Sequence, residues 1–216
     1  MKAVFFDLDG TLLDTLKDIG EALNDALSKM GLPMRYSREE VRSFIGRGTD
    51  ILCHKALGHY DDEANFHRLK ELYMPLYGQY QLLHSEPYPE MPKTLATLKD
   101  MGLSLYVFSN KPDPLAKAIV HNFYGSTFEE VQGALDNRPK KPDPTLLIEM
   151  LNRHGLTKED ILYVGDSLPD IELSEALGCH DVLCLWGYGK YTTELLKRAD
   201  YVIDKPLDLI KAVKAG

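Results

Sequence analysis

The sequence has little of what membrane, secreted and nucleic-acid-binding proteins need. No apolar run approaches the ~18–20 residues of a membrane span. The three cysteines, Cys53, Cys179 and Cys184, show no C-x-x-C spacing, so we expect reduced thiols in a cytoplasmic protein. Positive charge is also scarce, because 25 Lys and Arg stand against 33 Asp and Glu, a formal net charge of −8. We therefore expect neither nucleic acid nor an anionic membrane as a partner.

The composition that is present favours a folded globular chain. Of its 216 residues, 44% are hydrophobic, which is enough for a sizeable core. This length fits one domain or a core with a smaller inserted one. An apolar segment begins directly after Met1-Lys2, so we expect no signal peptide.

The first segment, residues 3–6, is short and apolar, which predicts a buried parallel strand. Asp7 follows it and Asp9 comes two residues later, before Gly10 and Thr11. Side chains at i and i+2 of an extended segment face one side, and two carboxylates at one spot repel unless a cation or a shared proton lies between them. Asp-Gly is also a common turn dipeptide, so a plain turn is the alternative interpretation.

The pattern then changes from strand to helix for about seventy residues. Thr15 is a candidate N-cap, Ser37 opens a capping box, and Pro75 is expected to kink or divide the last helix. We predict four helices in residues 16–30, 38–46, 49–57 and 61–80, with no strand among them. The prediction is an inserted helical cap, residues 15–85, in a core made of residues 1–14 and 86–216.

Strands and helices alternate beyond Pro92, which predicts an α/β fold with a parallel, Rossmann-like sheet covered by helices on both faces. The expected strands are residues 103–108, 128–132, 161–164, 181–185 and 201–203. The expected helices include residues 93–101, 114–122 and 142–154.

Polar residues follow several of these strands, where open parallel sheets place their chemistry. Ser109 and Asn110 follow one strand, Asp166 and Asp170 follow another, and Lys141 precedes a predicted helix. Each has a plainer interpretation: a Ser-Asn turn, helix N-caps and a solvated lysine.

Together these segments resemble the motifs of the haloacid dehalogenase superfamily of phosphatases. Asp7-Leu8-Asp9-Gly10-Thr11-Leu12 is similar to its first motif, and the later motifs match in order and spacing. The resemblance implies Mg²⁺ held by Asp7, Asp9 (through its carbonyl) and Asp166. It implies these catalytic residues: Asp7 as nucleophile, Asp9 as general acid and base, Ser109 and Lys141 at the phosphoryl group, and Asp170 at a metal-bound water or at Lys141. We prefer Lys141 to Lys140 because the family's lysine commonly precedes a proline.

A narrower resemblance is to the phosphoglycolate-phosphatase-like branch of this superfamily. It rests on Pro87-Tyr88-Pro89, Ser109-Asn110-Lys111-Pro112, Gly178-Cys179 and Phe44-Ile45-Gly46-Arg47-Gly48. The implied substrate-binding residues are Thr11, Asn110, Arg47 and Gly48. Arg47 would hold a carboxylate or second phosphate of the substrate, and its alternative is an exposed arginine between helices.

The predicted function is Mg²⁺-dependent hydrolysis of a small phosphorylated metabolite, similar to phosphoglycolate, through an aspartyl-phosphate. Alternatives with the same core are a pyrophosphatase, a sugar-phosphate phosphatase and a phosphomutase. The alternative from another class is a phosphorylatable signalling module or a ligand-binding protein. We expect a monomer or a homodimer.

Overall fold

The computed structural model describes residues 1–215 and contains eight β-strands in this part of the chain. In chain order the strands are β1 (Ala3–Phe6), β2 (Leu13–Asp14), β3 (Glu86–Pro87), β4 (Ser104–Pro112), β5 (Glu130–Ala134), β6 (Ile161–Gly165), β7 (His180–Cys184) and β8 (Tyr201–Ile203).

Six of the strands form one parallel sheet in the order β5-β4-β1-β6-β7-β8. β1 lies in the middle, and the chain adds β4 and β5 on one side and β6 to β8 on the other. The carboxyl ends of β4, β1 and β6 are therefore neighbours at the point where the strand order reverses. Open α/β sheets bind their ligands in the crevice at such a point.

Ten α-helices connect and surround the strands of the described chain. They are α1 (Leu16–Lys29), α2 (Arg38–Arg42), α3 (Thr49–Leu57), α4 (Glu63–Tyr80), α5 (Met91–Asp100), α6 (Asp113–Tyr124), α7 (Thr145–Arg153), α8 (Leu168–Leu177), α9 (Thr193–Arg198) and α10 (Leu209–Ala215). Among these helices, none combines the length and the apolar composition needed to cross a bilayer.

Alternate residues of the central strands pack on opposite faces of the sheet. Val4 and Phe6 of β1 belong to a cluster with α5, α6 and α10, whereas Ala3 and Phe5 belong to one with α7 and α8. All four are fully buried, as expected for a strand covered on both faces. The predicted α/β fold with a doubly covered parallel sheet is confirmed.

Helices α1 to α4 form a separate group, which we call the helical layer. Its apolar cluster contains the inner faces of α1, α3 and α4, with Leu23 and Leu27 of α1 and Tyr73 and Tyr77 of α4 among the buried residues. Tyr188, which follows β7, belongs to the same cluster. The layer thus has its own apolar interior next to the sheet, and our domain boundaries stay a prediction.

Two short strands that the sequence analysis missed lie where the chain enters and leaves the helical layer. β2 and β3 pair antiparallel, with Leu13 opposite Pro87 and Asp14 opposite Glu86. Nearby, the buried carboxylate of Asp18 accepts hydrogen bonds from the amide and hydroxyl of Ser85, at 2.8 and 2.7 Å. The two crossings are therefore joined. The sequence analysis missed these strands because two-residue strands have no periodicity that a sequence pattern could show.

The structure differs from three local predictions. α4 is one helix from Glu63 to Tyr80, so Pro75 does not divide it, and a kink at Pro75 stays a prediction. α7 begins at Thr145 rather than at residue 142, because Asp143 forms a turn in which its amide bonds the Lys140 carbonyl. Thr15 occupies the N-cap position of α1 without a side-chain cap, since its hydroxyl donates to Asp9 instead.

The fourth difference concerns β4, which was expected to end at residue 108. It continues to Pro112, with a shift of register against β5 between Phe108 and Pro112. Ser109, Asn110 and Lys111 lie within this irregular stretch, and bulges and shifts of this kind often re-aim side chains beside a functional site.

Candidate active site

The loop after β1 is held in a tight turn that leads away from the strand. The amide of Asp7 still donates to the Val164 carbonyl of β6, at 2.9 Å. Gly10 then has φ +90°, and a Cβ there would lie 2.5 Å from Oδ2 of Asp166. Only glycine fits this conformation and this contact, so the turn brings the loops after β1 and β6 together.

Three carboxylates meet at this edge of the sheet. Asp7, Asp166 and Asp170 are buried and each offers one oxygen, and these oxygens lie within 4.8 Å of one another. The ammonium of Lys141 lies among them, 2.8 Å from Oδ1 of Asp7 and 2.7 Å from Oδ1 of Asp170. It also donates to the hydroxyl of Tyr163 at 3.1 Å. One lysine thus faces three acidic groups.

The electrostatics of this cluster show a shortage of positive charge. Burial raises the pKa of Asp7 to about 6, although Lys141 opposes the shift. Burial, together with Asp170 and Asp7, raises the pKa of Asp166 well above its usual value. Burial alone would lower the pKa of Lys141, but Asp170 and Asp7 raise it well above the ordinary value. Further positive charge at this place would let the carboxylates ionise more readily.

Asp7 also has an oxygen that the protein leaves without a hydrogen bond. Oδ1 is buried and accepts no hydrogen bond from the described residues, although the Lys141 ammonium lies 2.8 Å away as an ion-pair partner. A buried, orphaned carboxylate oxygen beside a second carboxylate suits a small cation with oxygen ligands, such as Mg²⁺. The residues present therefore fit the predicted metal.

The neighbours of Asp166 and Asp170 fix both side chains. Thr11 donates to Oδ1 of Asp166 at 3.3 Å, and the amide of Tyr188 donates to Oδ2 at 2.6 Å. Asp170 forms a capping box with Ser167 at the start of α8 and also pairs with Lys141. The N-cap of α8 is thus Ser167 and not one of the two aspartates, whereas the expected contact of Asp170 with Lys141 is present.

Asp9 lies beside the cluster but has different partners. Its Oδ1 accepts from the hydroxyl of Thr15 at 2.7 Å and from the ammonium of Lys111 at 3.0 Å. Lys111 also contacts the hydroxyl of Tyr77 in the helical layer. Sequence reasoning quoted Lys111 within a motif but assigned it no role. Its position two residues after Ser109 was the available signal.

Ser109 and Asn110 lie on the other side of Asp7, and Asn110 holds the parts of the site together. Its side-chain oxygen accepts from the Lys141 amide at 2.8 Å, and its side-chain nitrogen donates to the carbonyls of Lys141 and Gly46, both at 3.1 Å. Ser109 is buried and lines a cavity with Asp7 and Asp9. The side chain of Asn110 is thus engaged within the protein.

Arg47 and Gly48 lie on the helical layer at the edge of this region. The Arg47 guanidinium is 46% exposed and pairs with Glu172 of α8 at 3.4 Å. It lines a wide cleft of about 550 Å³ together with Asp9 and Asp166. Gly48 instead lines a smaller cavity of about 50 Å³, which includes Asp7.

Two further residues that sequence reasoning did not single out connect the helical layer to the sheet. The Tyr188 hydroxyl accepts from the amides of Thr15 and Leu16, at 2.6 and 3.0 Å. Arg42 of α2 donates to the carbonyls of Tyr188 and Gly187, at 3.0 and 3.1 Å. Tyr188 therefore ties Asp166 to the entrance of the helical layer. Its only sequence signal was a glycine-flanked aromatic after a strand.

These features coincide with a known family. The family model described as haloacid dehalogenase-like hydrolase matches residues 4–184. The chain therefore belongs to the haloacid dehalogenase-like hydrolases.

Similar proteins narrow the class within this family. The chain is 36% identical to a phosphoglycolate phosphatase from Aquifex aeolicus over 98% of its own length and 96% of that protein. It is 35% identical to a phosphoglycolate phosphatase from Aliivibrio fischeri, over 87% and 86% of the two chains. A crystal structure of a predicted phosphoglycolate phosphatase from Haemophilus somnus superposes with a TM-score of 0.91, at 31% identity over 99% and 98% of the chains. The predicted enzyme class, a phosphatase of this family, is confirmed.

Proposed function

We propose that this phosphatase hydrolyses a small phosphomonoester similar to phosphoglycolate, with Mg²⁺ and through an aspartyl-phosphate on Asp7. The observation that carries the proposal is the buried group of Asp7, Asp166, Asp170 and Lys141 at the carboxyl ends of β1 and β6. The names of the similar proteins support the choice of substrate.

In the first step a carboxylate oxygen of Asp7 attacks phosphorus, and the bond from phosphorus to the ester oxygen breaks. Asp9 donates a proton to the leaving oxygen, so the product leaves as an alcohol. Lys141, already paired with Asp7, offsets the charge shared by the nucleophile and the phosphoryl group. Ser109 donates to a phosphoryl oxygen, and Thr11 and Asn110 are the further proposed substrate-binding residues next to it.

In the second step a water molecule attacks the aspartyl-phosphate and Asp9 takes its proton. The acyl-phosphate bond breaks, inorganic phosphate leaves and Asp7 is restored. Asp170 orients Lys141 throughout, since its other oxygen is held by Ser167.

Mg²⁺ would be held by Asp7, Asp166 and the backbone carbonyl of Asp9. When bound, it supplies positive charge that reduces the repulsion between the anionic nucleophile and the anionic substrate.

The helical layer, within residues 15–85, is the proposed cap. It would close over the crevice about hinges near residues 13–15 and 85–89, where β2 and β3 join the two crossings. Arg47 and Gly48 are the proposed substrate-binding residues of this cap. Closure would exclude bulk water during phosphoryl transfer.

The proposed location of the protein is the cytoplasm, and its proposed oligomeric state is a monomer or a homodimer. The first rests on the thiols: Cys53, Cys179 and Cys184 are all free in the structure.

The test is phosphate release from a panel of substrates by the metal-stripped protein, with and without added Mg²⁺. The panel contains phosphoglycolate, pyrophosphate, a sugar phosphate and p-nitrophenyl phosphate. We expect the highest kcat/KM for phosphoglycolate, activity only with the metal, and reversible loss in EDTA.

Full activity in EDTA would contradict the metal-assisted mechanism. A preference for pyrophosphate or a sugar phosphate would identify the protein as a pyrophosphatase or a sugar-phosphate phosphatase. Transfer of the phosphoryl group to a second sugar would identify a mutase.

A further inference from the structure

A small cavity lies between the helical layer and the carboxyl ends of β1 and β4. Its volume is about 50 Å³, and its lining includes Asp7, Asp9, Gly48, Tyr77 and Lys111. One buried water needs ~10–15 Å³ by a comparable measure, so the cavity has room for a group the size of a carboxylate. Among the described residues that line it, Lys111 is the only lysine or arginine.

The charge of Lys111 is buried in this place. Its side chain is 2% exposed, and its ammonium lies 3.0 Å from Oδ1 of Asp9. It also contacts the Tyr77 hydroxyl and lies 4.3 Å from the centre of that ring. A buried ammonium is costly unless it is paired and hydrogen-bonded, and here Asp9 and Tyr77 supply the partners.

The two buried lysines of the site differ in how many partners they have. Lys141 contacts two carboxylates, those of Asp7 and Asp170, and the hydroxyl of Tyr163. Lys111 pairs with one carboxylate only, that of Asp9, which it contacts at both oxygens, at 3.0 and 3.4 Å, and it also contacts the hydroxyl of Tyr77. A second anion in the cavity can replace the longer contact, with Oδ2 of Asp9, while Lys111 keeps Oδ1 of Asp9 and the Tyr77 hydroxyl.

Arg47 is less suited to this role in the structure described. Its guanidinium pairs with Glu172 and is 46% exposed, and it lines the wide cleft rather than the cavity beside Asp7. A charged group in such an exposed place contributes little to binding because solvent screens it.

We propose that Lys111 binds the carboxylate of the substrate and thereby selects a short phosphomonoester that carries a second anion. The inference rests on the proposed function, because it assumes that the phosphoryl group is bound at Asp7. A carboxylate separated from the ester oxygen by one methylene would enter the adjacent cavity, and Lys111 would then lie between it and Asp9. A longer or uncharged leaving group would gain nothing from this lysine.

The test compares phosphoglycolate with ethyl phosphate, which has a methyl group in place of the carboxylate. Lys111→Met keeps much of the side-chain length and removes the charge. We expect it to lower kcat/KM for phosphoglycolate relative to ethyl phosphate by about tenfold or more, mainly through KM, since a charged hydrogen bond is lost. Lys111→Arg should restore part of the preference.

Lys140→Met is the matched control. Lys140 also lies between the sheet and the helical layer, where it pairs with Asp50 at 2.5 Å, but it does not line the cavity. We expect it to leave the ratio of the two substrates unchanged. Thermal melting checks that each variant is folded, and Lys111→Gln replaces Lys111→Met if the latter does not fold.

An equal loss for both substrates in Lys111→Met would overturn the proposal, because Lys111 would then act only by positioning Asp9. A different result bears on the proposed function itself: wild-type protein that hydrolyses neither phosphomonoester with Mg²⁺ would refute the phosphomonoesterase activity without concerning Lys111.

Discussion

The strand-end loops and the helical layer hold their charged residues in opposite ways. At the strand ends, Lys141 is 1% exposed and contacts Asp7 and Asp170 at hydrogen-bonding distance. On the helical layer, Arg47 is 46% exposed and its partner Glu172 is 3.4 Å away. Buried charges are strongly coupled to their neighbours, whereas exposed ones are screened. The difference agrees with our proposal that the chemistry belongs to the sheet and that the helical layer contributes to the choice of substrate.

The largest effect is expected at Asp7, which belongs to the buried cluster at the strand ends. Asp7→Asn should abolish turnover of every phosphomonoester, because the amide lacks the nucleophilic carboxylate and no phosphoenzyme can form. Trapping of the phosphoenzyme by rapid acid quench, with wild-type protein as control, measures this directly. Residual formation of a phosphoenzyme in the variant would place the nucleophile elsewhere.

A smaller loss is expected at Asp9, which lies beside the buried cluster and also contacts the lysine that faces the helical layer. Asp9→Asn should lower kcat by ~10²–10⁴-fold through the loss of general acid–base help. The effect should be greater for ethyl phosphate than for p-nitrophenyl phosphate, since the nitrophenolate needs less protonation to leave. A uniform loss across both leaving groups would instead indicate that Asp9 acts through metal geometry.

The smallest effect is expected on the helical layer. Arg47→Ala should raise KM for phosphoglycolate by about threefold to tenfold, which corresponds to roughly 0.6–1.4 kcal/mol, and should barely change hydrolysis of p-nitrophenyl phosphate. Steady-state kinetics with both substrates measures the difference. If kcat falls as much as it does in Asp9→Asn, the division of roles between the sheet and the helical layer is wrong.

Lys111 connects these two regions, because it belongs to β4 and contacts Tyr77 of the helical layer. Comparing Lys111→Met with Arg47→Ala on the same substrates therefore shows which of the two cations binds the carboxylate of the substrate. We expect the buried one to have the larger effect.

Sequence alone determined the parallel sheet, its double cover of helices and the phosphatase class. Residues 3–6 and 161–164 are apolar runs followed by acidic residues, and such signals are local in the chain. The same applies to the capping box at Ser37, which the structure contains as expected. Local patterns are readable because they depend on a few neighbouring residues.

Only the tertiary structure decided the contacts that hold the residues of the site in place. Lys111 contacts Asp9 across 102 positions of sequence, the Tyr188 amide reaches Asp166 across 22, and Asn110 joins Lys141 across 31. β4 was expected to end before Ser109, but pairing with β5 extends it to Pro112, and Lys111 lies within that extension. A lysine, an asparagine or a tyrosine has no local pattern that shows its distant partner, because the chain must fold before burial and charge select the contact.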